Sequence, residues 1–223
     1  MRNRWLLPAA VAAIALLLSL APWRAVGTAA QMGQMAPLDQ LSGNDFDAAF
    51  LAQMSMHHAM AVMMARPAAA QSAHQETKDL AQAIIADQTR EIAQMRGWAK
   101  DWYGLDLPDH IAMMDQMQGG SSMGEHAGHG MMGQGGMMGQ MGNMGMMNGM
   151  SMMNDLWKLS PQRLEATFMS LMVPHHQSAI AMAMLVPDRA SHQELKDLAQ
   201  GVIQSQGDEI GKMNSWLSSW YGL

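Results

Sequence analysis

The chain has 223 residues, a formal net charge of −6 and 29 methionines. Its acidic balance argues against nucleic acid as a partner, because phosphate backbones attract basic surfaces. The sequence contains no cysteine, which excludes disulfides, thiolate metal sites and redox thiols. Any soft-metal chemistry must therefore come from methionine and histidine.

The N-terminus has the pattern of an export signal, which we predict for residues 1–30. Two arginines begin the chain, an apolar run follows from Leu6 to Leu20, and small residues lead to a candidate cleavage position after Ala30. The run is short for a membrane-spanning helix, so we expect a periplasmic or extracellular mature protein. Membrane attachment would arise only if this segment were left uncleaved.

We expect a flexible lead-in at residues 31–43. The pattern that follows predicts a helical hairpin over residues 44–105. The first helix should begin near Asn44 and end at Arg66, because Pro67 cannot donate a main-chain hydrogen bond. The second helix should run to Tyr103 and end at Gly104, since glycine is favoured just past a helix C-terminus.

The first helix carries the adjacent histidines His57 and His58 among five methionines. Neighbouring helix positions point about 100° apart, so both imidazoles cannot face the centre of one core. The second helix carries Glu91 and Met95 within its apolar face. Core packing is the alternative role for the methionines, and a structural contact with a histidine is the alternative role for Glu91.

The hairpin recurs 118 residues later without a gap, with about 26 of 62 aligned positions identical. The second copy should occupy residues 156–223, and its histidines are preceded by Pro174, so we expect the two copies to bind metal unequally. The methionines at positions 56, 60 and 63 are not matched. We predict two metal sites from the matched residues, which are Met54, His57, His58, Met64, Glu91 and Met95 in the first copy and Met172, His175, His176, Met182, Glu209 and Met213 in the second.

We predict that the two hairpins pack together as an all-α four-helix bundle with one long connection. That connection, residues 106–155, is a low-complexity segment rich in methionine, glycine and histidine, for which we expect irregular structure. It would bind soft metal weakly, or serve as a solvated linker. Its candidate ligands are His126, His129, Met131, Met132, Met137 and Met138.

Thioethers favour Cu(I) and Ag(I), and imidazole adds affinity for Cu(I) and Cu(II). Zinc is less favoured because its usual ligands are Cys, His and Asp or Glu. Copper is therefore the expected metal, with Cu(I) ahead of Cu(II), and silver is a further candidate. Copper ions are the expected partners, together with a copper efflux or delivery protein as a candidate.

These residues resemble the domain-of-unknown-function 305 family. The pattern Phe50-x3-Met54-x2-His57-His58, followed on the next helix by Gln88-x2-Glu91-x3-Met95-x2-Trp98, occurs in both copies. The resemblance covers both hairpins and omits the signal and the connection. It implies a ferritin-like helical bundle, metal binding and, for some members, exported copper binding with copper resistance.

The leading hypothesis is thus a non-catalytic exported protein that sequesters or buffers copper. A di-iron enzyme would need Glu-x-x-His, and no histidine follows Glu91 or Glu209 at that spacing. Weak Cu(I) oxidase activity stays open. Two other functions also stay open. One is a haem-binding or other metal-dependent redox protein on a four-helix bundle, and the other is a methionine-rich oxidant sink.

Overall fold

The computed structural model of the chain describes residues 37–119 and 153–223. Within these ranges the protein is helical and contains no strand, and no helix is long and apolar enough to cross a membrane. The predicted signal and most of the predicted connection lie outside these ranges. The helices are α1 (Gly43–Gln71), α2 (Gln75–Tyr103), α3 (His110–Gly119), α4 (Pro161–Ala183), α5 (Val186–Arg189) and α6 (Gln193–Tyr221), and a 3-10 helix at Leu38–Gln40 precedes them.

The long helices pack as two pairs. Helix α1 lies along α2, α4 lies along α6, and the contact of α1 with α4 joins the pairs. The short connections at residues 72–74 and 184–192 make each pair an antiparallel hairpin. The predicted all-α class and the pairing into hairpins are therefore confirmed.

Glycine ends the second helix of each hairpin, as the sequence predicts for Gly104. Gly104 and Gly222 have φ of 66° and 67°, the left-handed region that costs glycine little. The amide of Leu105 donates to the Ala99 carbonyl at 3.0 Å, which closes the helix C-terminus.

The prediction that Pro67 ends the first helix is wrong, because α1 continues through it to Gln71. Proline removes only its own main-chain donor, and the following turn is closed by the Ser72 amide donating to the Ala68 carbonyl at 3.1 Å. Both Pro67 and Ala68 are buried. The apolar contact of this last turn therefore outweighs the lost hydrogen bond. Helix α4 likewise passes through Pro174 without a break.

The expectation of irregular structure fails at the beginning of the connection, where α3 forms. The Asp109 carboxylate accepts a hydrogen bond from the Ala112 amide at 3.0 Å and pairs with Arg96. Met114 is buried in the apolar core beside α1. A capping carboxylate and one apolar anchor thus stabilise this helix.

Candidate metal centre

Four imidazoles form a continuous row across the interface between α1 and α4. The order is His58, His57, His175, His176, and we call this set the imidazole row. The ring centroids of His57 and His175 are 3.7 Å apart, and the neighbouring pairs within each helix are 6.5 and 6.2 Å apart. The histidines of the two predicted sites therefore lie side by side at the contact between the hairpins.

A glutamate holds each end of the row. Glu91 Oε2 lies 2.7 Å from His58 Nε2, and Glu209 Oε2 lies 2.7 Å from His176 Nε2. Both histidines are fully buried, whereas the glutamate side chains are 15% and 12% exposed. An ionised carboxylate only accepts hydrogen bonds, so each Nε2 carries a proton towards its glutamate, and in the neutral ring the lone pair would lie on Nδ1.

Five nitrogens of the row are buried with no hydrogen-bond partner among the described residues. They are His57 Nδ1, His58 Nδ1, His175 Nδ1, His175 Nε2 and His176 Nδ1. Buried polar atoms are normally paired, and leaving one unpaired costs about 1–3 kcal/mol. A cluster of orphaned nitrogens is what a bound late-transition-metal cation would satisfy.

The two central histidines favour the neutral form. Burial, together with the charges that His58 and His176 would carry, lowers the pKa of His57 to about 4. Burial and the three neighbouring imidazoles lower the pKa of His175 to about 2. Metal ligation requires neutral imidazole, so these two rings need lose no proton to bind a cation at neutral pH.

Methionines form a layer beside each buried histidine. Met54 precedes His58 by four residues and Met95 follows Glu91 by four, so the antiparallel register lays the two methionines opposite each other. Both are fully buried, as are Met172 and its counterpart on α6. Thioether donors therefore lie one helical turn from the row in each hairpin.

The two remaining predicted methionine ligands, Met64 and Met182, differ in burial. Met64 belongs to the same apolar core as Met172 and Met213, and Met182 is partly exposed. No three His, Asp or Glu side chains of the described ranges converge in a metal-binding arrangement. A complete ligand set would thus need thioethers as well as imidazoles. The predicted linker ligands, from His126 to Met138, lie outside the described residues.

An open acidic groove between α2 and α6 reaches one end of the row. Glu209 lines it, together with the carboxylates of Asp79, Asp87 and Asp208. Excess negative charge along a groove raises the local concentration of cations. The partly exposed Glu209 therefore connects the buried His176 with a surface that attracts positive ions.

The sequence reasoning missed a buried carboxylate that joins the hairpins. Asp47 on α1 accepts hydrogen bonds from Tyr103 OH at 3.0 Å, His192 Nδ1 at 2.7 Å and the Ser191 amide at 3.1 Å. Trp102 stacks on His192 with ring centroids 3.8 Å apart. Burial and the Asp47 charge raise the pKa of Tyr103. We call this set the Asp47 clamp.

An equivalent contact occurs 118 residues along the chain, at Glu165 of α4. Its carboxylate accepts hydrogen bonds from the His74 ring and amide and from Tyr221 OH, and Trp220 stacks on His74 at 3.9 Å. The sequence contained a signal for these two contacts. The histidines, tyrosines and tryptophans match across the repeat, and an acidic residue stands at both position 47 and position 165. Both histidines, His74 and His192, bridge the hairpins.

The structure is similar to that of CopM, which has been solved with several metals bound. The Cu(II)-bound form is 32% identical with a TM-score of 0.56, and the match covers 78% of this chain and 97% of CopM. The Cu(I)-bound form aligns at 27% identity, with the same coverage and TM-score. The Ag-bound form aligns at 26% identity over 78% of this chain and 96% of CopM, with a TM-score of 0.53.

Two further relatives extend the comparison. A DUF305 protein from Streptomyces coelicolor, described as secreted, is 25% identical over 77% of this chain and 92% of its own, with a TM-score of 0.54. The uncharacterized protein L153 of Acanthamoeba polyphaga mimivirus is 40% identical over 50 residues, 22% of this chain and 33% of that protein.

The sequence model of the domain of unknown function DUF305 matches residues 23–99 and 47–217. These matches include both hairpins and all four histidines of the row. The chain belongs to the DUF305 family.

Proposed function

We propose that this protein is an exported copper-binding protein that sequesters or buffers copper and so contributes to copper resistance. The observation that carries the proposal is the imidazole row, with its five buried, unpartnered nitrogens. Binding alone accounts for this arrangement, and no turnover of a substrate is required. Export is supported by the sequence pattern of residues 1–30 and by the similarity to a secreted relative.

Cu(I) is the proposed main cargo. The row offers neutral imidazoles, and buried thioethers lie one turn away, a donor set that suits Cu(I) and Ag(I). The similarity to CopM, which binds Cu(I), Cu(II) and Ag, supports the same metals here. The proposed framework is a ferritin-like four-helix bundle whose two hairpins share the centre and whose residue 106–155 connection adds weaker methionine sites.

Anaerobic Cu(I) titration of the mature chain against a competing chelator tests the proposal. Wild type should withhold Cu(I) from the chelator, and His57→Ala/His175→Ala should lose at least about tenfold in affinity. His110→Ala is the matched control, because His110 lies on α3 outside the row. The proposal fails if the double variant binds Cu(I) as tightly as wild type.

The role in resistance needs a separate measurement in cells. A strain without the gene should lose tolerance to copper and retain tolerance to hypochlorite. Wild type should restore copper tolerance, and His57→Ala/His175→Ala should not. Loss of hypochlorite tolerance alone would instead support the methionine oxidant sink.

A further inference from the structure

Each hairpin buries a glutamine three residues before the glutamate that bonds the row, and the amide oxygen of this glutamine lacks a partner. Gln88 on α2 and Gln206 on α6 are both 3% exposed. The two amide atoms of Gln88 and Oε1 of Gln206 have no hydrogen-bond partner in the described part of the chain. The two glutamines are matched across the repeat. A buried amide left unpaired in both copies calls for a specific explanation.

The helix register locates these amides relative to the histidines. Gln88 precedes Glu91 by three residues, and Ala61 follows His58 by three, so Gln88 lies opposite Ala61 across the hairpin. Ala61 is fully buried and small, which leaves room for a long side chain. By this register, each hairpin places the methionines, the His–Glu pair and the glutamine on successive helical turns.

Among the described residues, the other buried polar side chains without a partner outside the row differ from the glutamines. They are the hydroxyls of Ser55, Ser72 and Thr77. Serine and threonine hydroxyls inside or beside a helix can turn to bond a main-chain carbonyl of the preceding turn. A glutamine carbonyl has no such local partner. It is a harder donor than a thioether and suits Cu(II) better than Cu(I).

We propose that Gln88 and Gln206 supply carbonyl oxygen donors to the metal centre and determine its capacity for Cu(II). Thioethers on one side of each His–Glu layer serve Cu(I) and Ag(I), and the amide on the other side serves Cu(II). One centre thus accommodates both oxidation states of its cargo. This inference rests on the proposed copper function and adds the residues that discriminate between oxidation states.

The test compares affinities for Cu(II) and Ag(I) in Gln88→Leu/Gln206→Leu. Ag(I) stands in for Cu(I) without redox change. Cu(II) affinity should fall at least about tenfold, Ag(I) affinity should stay within about twofold, and apo thermal stability should be unchanged or higher because an unpaired polar group is removed. Gln82→Leu/Gln200→Leu is the matched control, since both glutamines are exposed on the same helices.

Several results would overturn the inference. Unchanged Cu(II) affinity, or an equal loss for both ions, would give the amides a structural role, as would a fall in apo stability with metal affinities intact. Should the leucine variant not fold, Gln88→Asn/Gln206→Asn decides, because it keeps the amides and withdraws each carbonyl by one methylene. Failure of wild type to bind either ion would overturn the copper function itself together with this inference.

Discussion

The His57 ring lies against the His175 ring, with centroids 3.7 Å apart, at the contact between the two hairpins. Each of these residues belongs to a different copy of the repeated sequence. A ligand held at this contact touches both hairpins at once. Metal binding should therefore depend on both copies together and should stabilise their association.

The shared centre predicts coupling between the two central histidines. His57→Ala and His175→Ala should each weaken Cu(I) binding, and their combined effect should differ from the sum by about 1 kcal/mol or more. A double-mutant cycle built from competition titrations measures this. The effects of His110→Ala and His175→Ala on affinity should be additive, because His110 lies outside the row. Additivity at both pairs would point to two independent sites.

The two hairpins should contribute unequally. Pro174 deprives α4 of one main-chain donor just before its histidines. Both ring nitrogens of His175 are buried without a hydrogen-bond partner, whereas only Nδ1 of His57 is. We expect His57→Ala/His58→Ala and His175→Ala/His176→Ala to differ several-fold in residual Cu(I) affinity. Indistinguishable affinities in the same titration would contradict this expectation.

Glu91 should act through His58. Glu91→Gln replaces an acceptor with an amide that also donates, so the proton on His58 Nε2 is no longer enforced. Cu(I) affinity should fall by about tenfold while the helical content stays constant. Nitrogen NMR of the imidazole should detect the mixed tautomers. Asp101→Asn, exposed on the same helix and outside the acidic groove, is the control, and an equal loss there would count against the specific role.

The apo protein should lose stability in mild acid. The folded pKa of His57 is about 4 and that of His175 about 2, both below the unfolded value near 6.5. The unfolded chain therefore binds more protons below pH 6.5, and the stabilisation present above that pH is lost as pH falls. The slope is at most about 1.4 kcal/mol per pH unit for each group.

Chemical denaturation of apo protein from pH 7 to pH 4 measures this slope. His57→Ala/His175→Ala should be less stable at pH 7 because of the cavities, and its stability should vary less with pH across this range. Parallel curves for wild type and the variant would show that the acid response arises elsewhere.

The Asp47 clamp should contribute strongly to the union of the hairpins. Asp47→Asn removes the charge and replaces one of the two acceptor oxygens with an NH₂ group, so that it faces some of the donors from Tyr103, Ser191 and His192. We expect a loss of about 3 kcal/mol in the free energy of unfolding, because the buried charge is lost and the donors that face the NH₂ group lose their acceptor. Urea denaturation checks this, with exposed Asp45→Asn expected to change stability by about 0.5 kcal/mol or less.

Helix content and pairing were predictable because they depend on local pattern. Glycine at position 104 ended a helix as expected, and the match between the copies identified His57, His58 and Glu91 as a set. The errors at Pro67 and at α3 share one cause. Packing against a neighbouring helix stabilised backbone that its own sequence disfavours.

The sequence by itself determined the donor chemistry, since a chain without cysteine has only imidazole, thioether, amide and carboxylate to offer a soft metal. It also determined that these donors come in two copies. Only the tertiary structure decided how the copies meet, with His57 against His175 and each outer histidine bonded to a glutamate. Contacts between residues more than a hundred positions apart follow from how two amphipathic hairpins bury their faces together, and no local period encodes them.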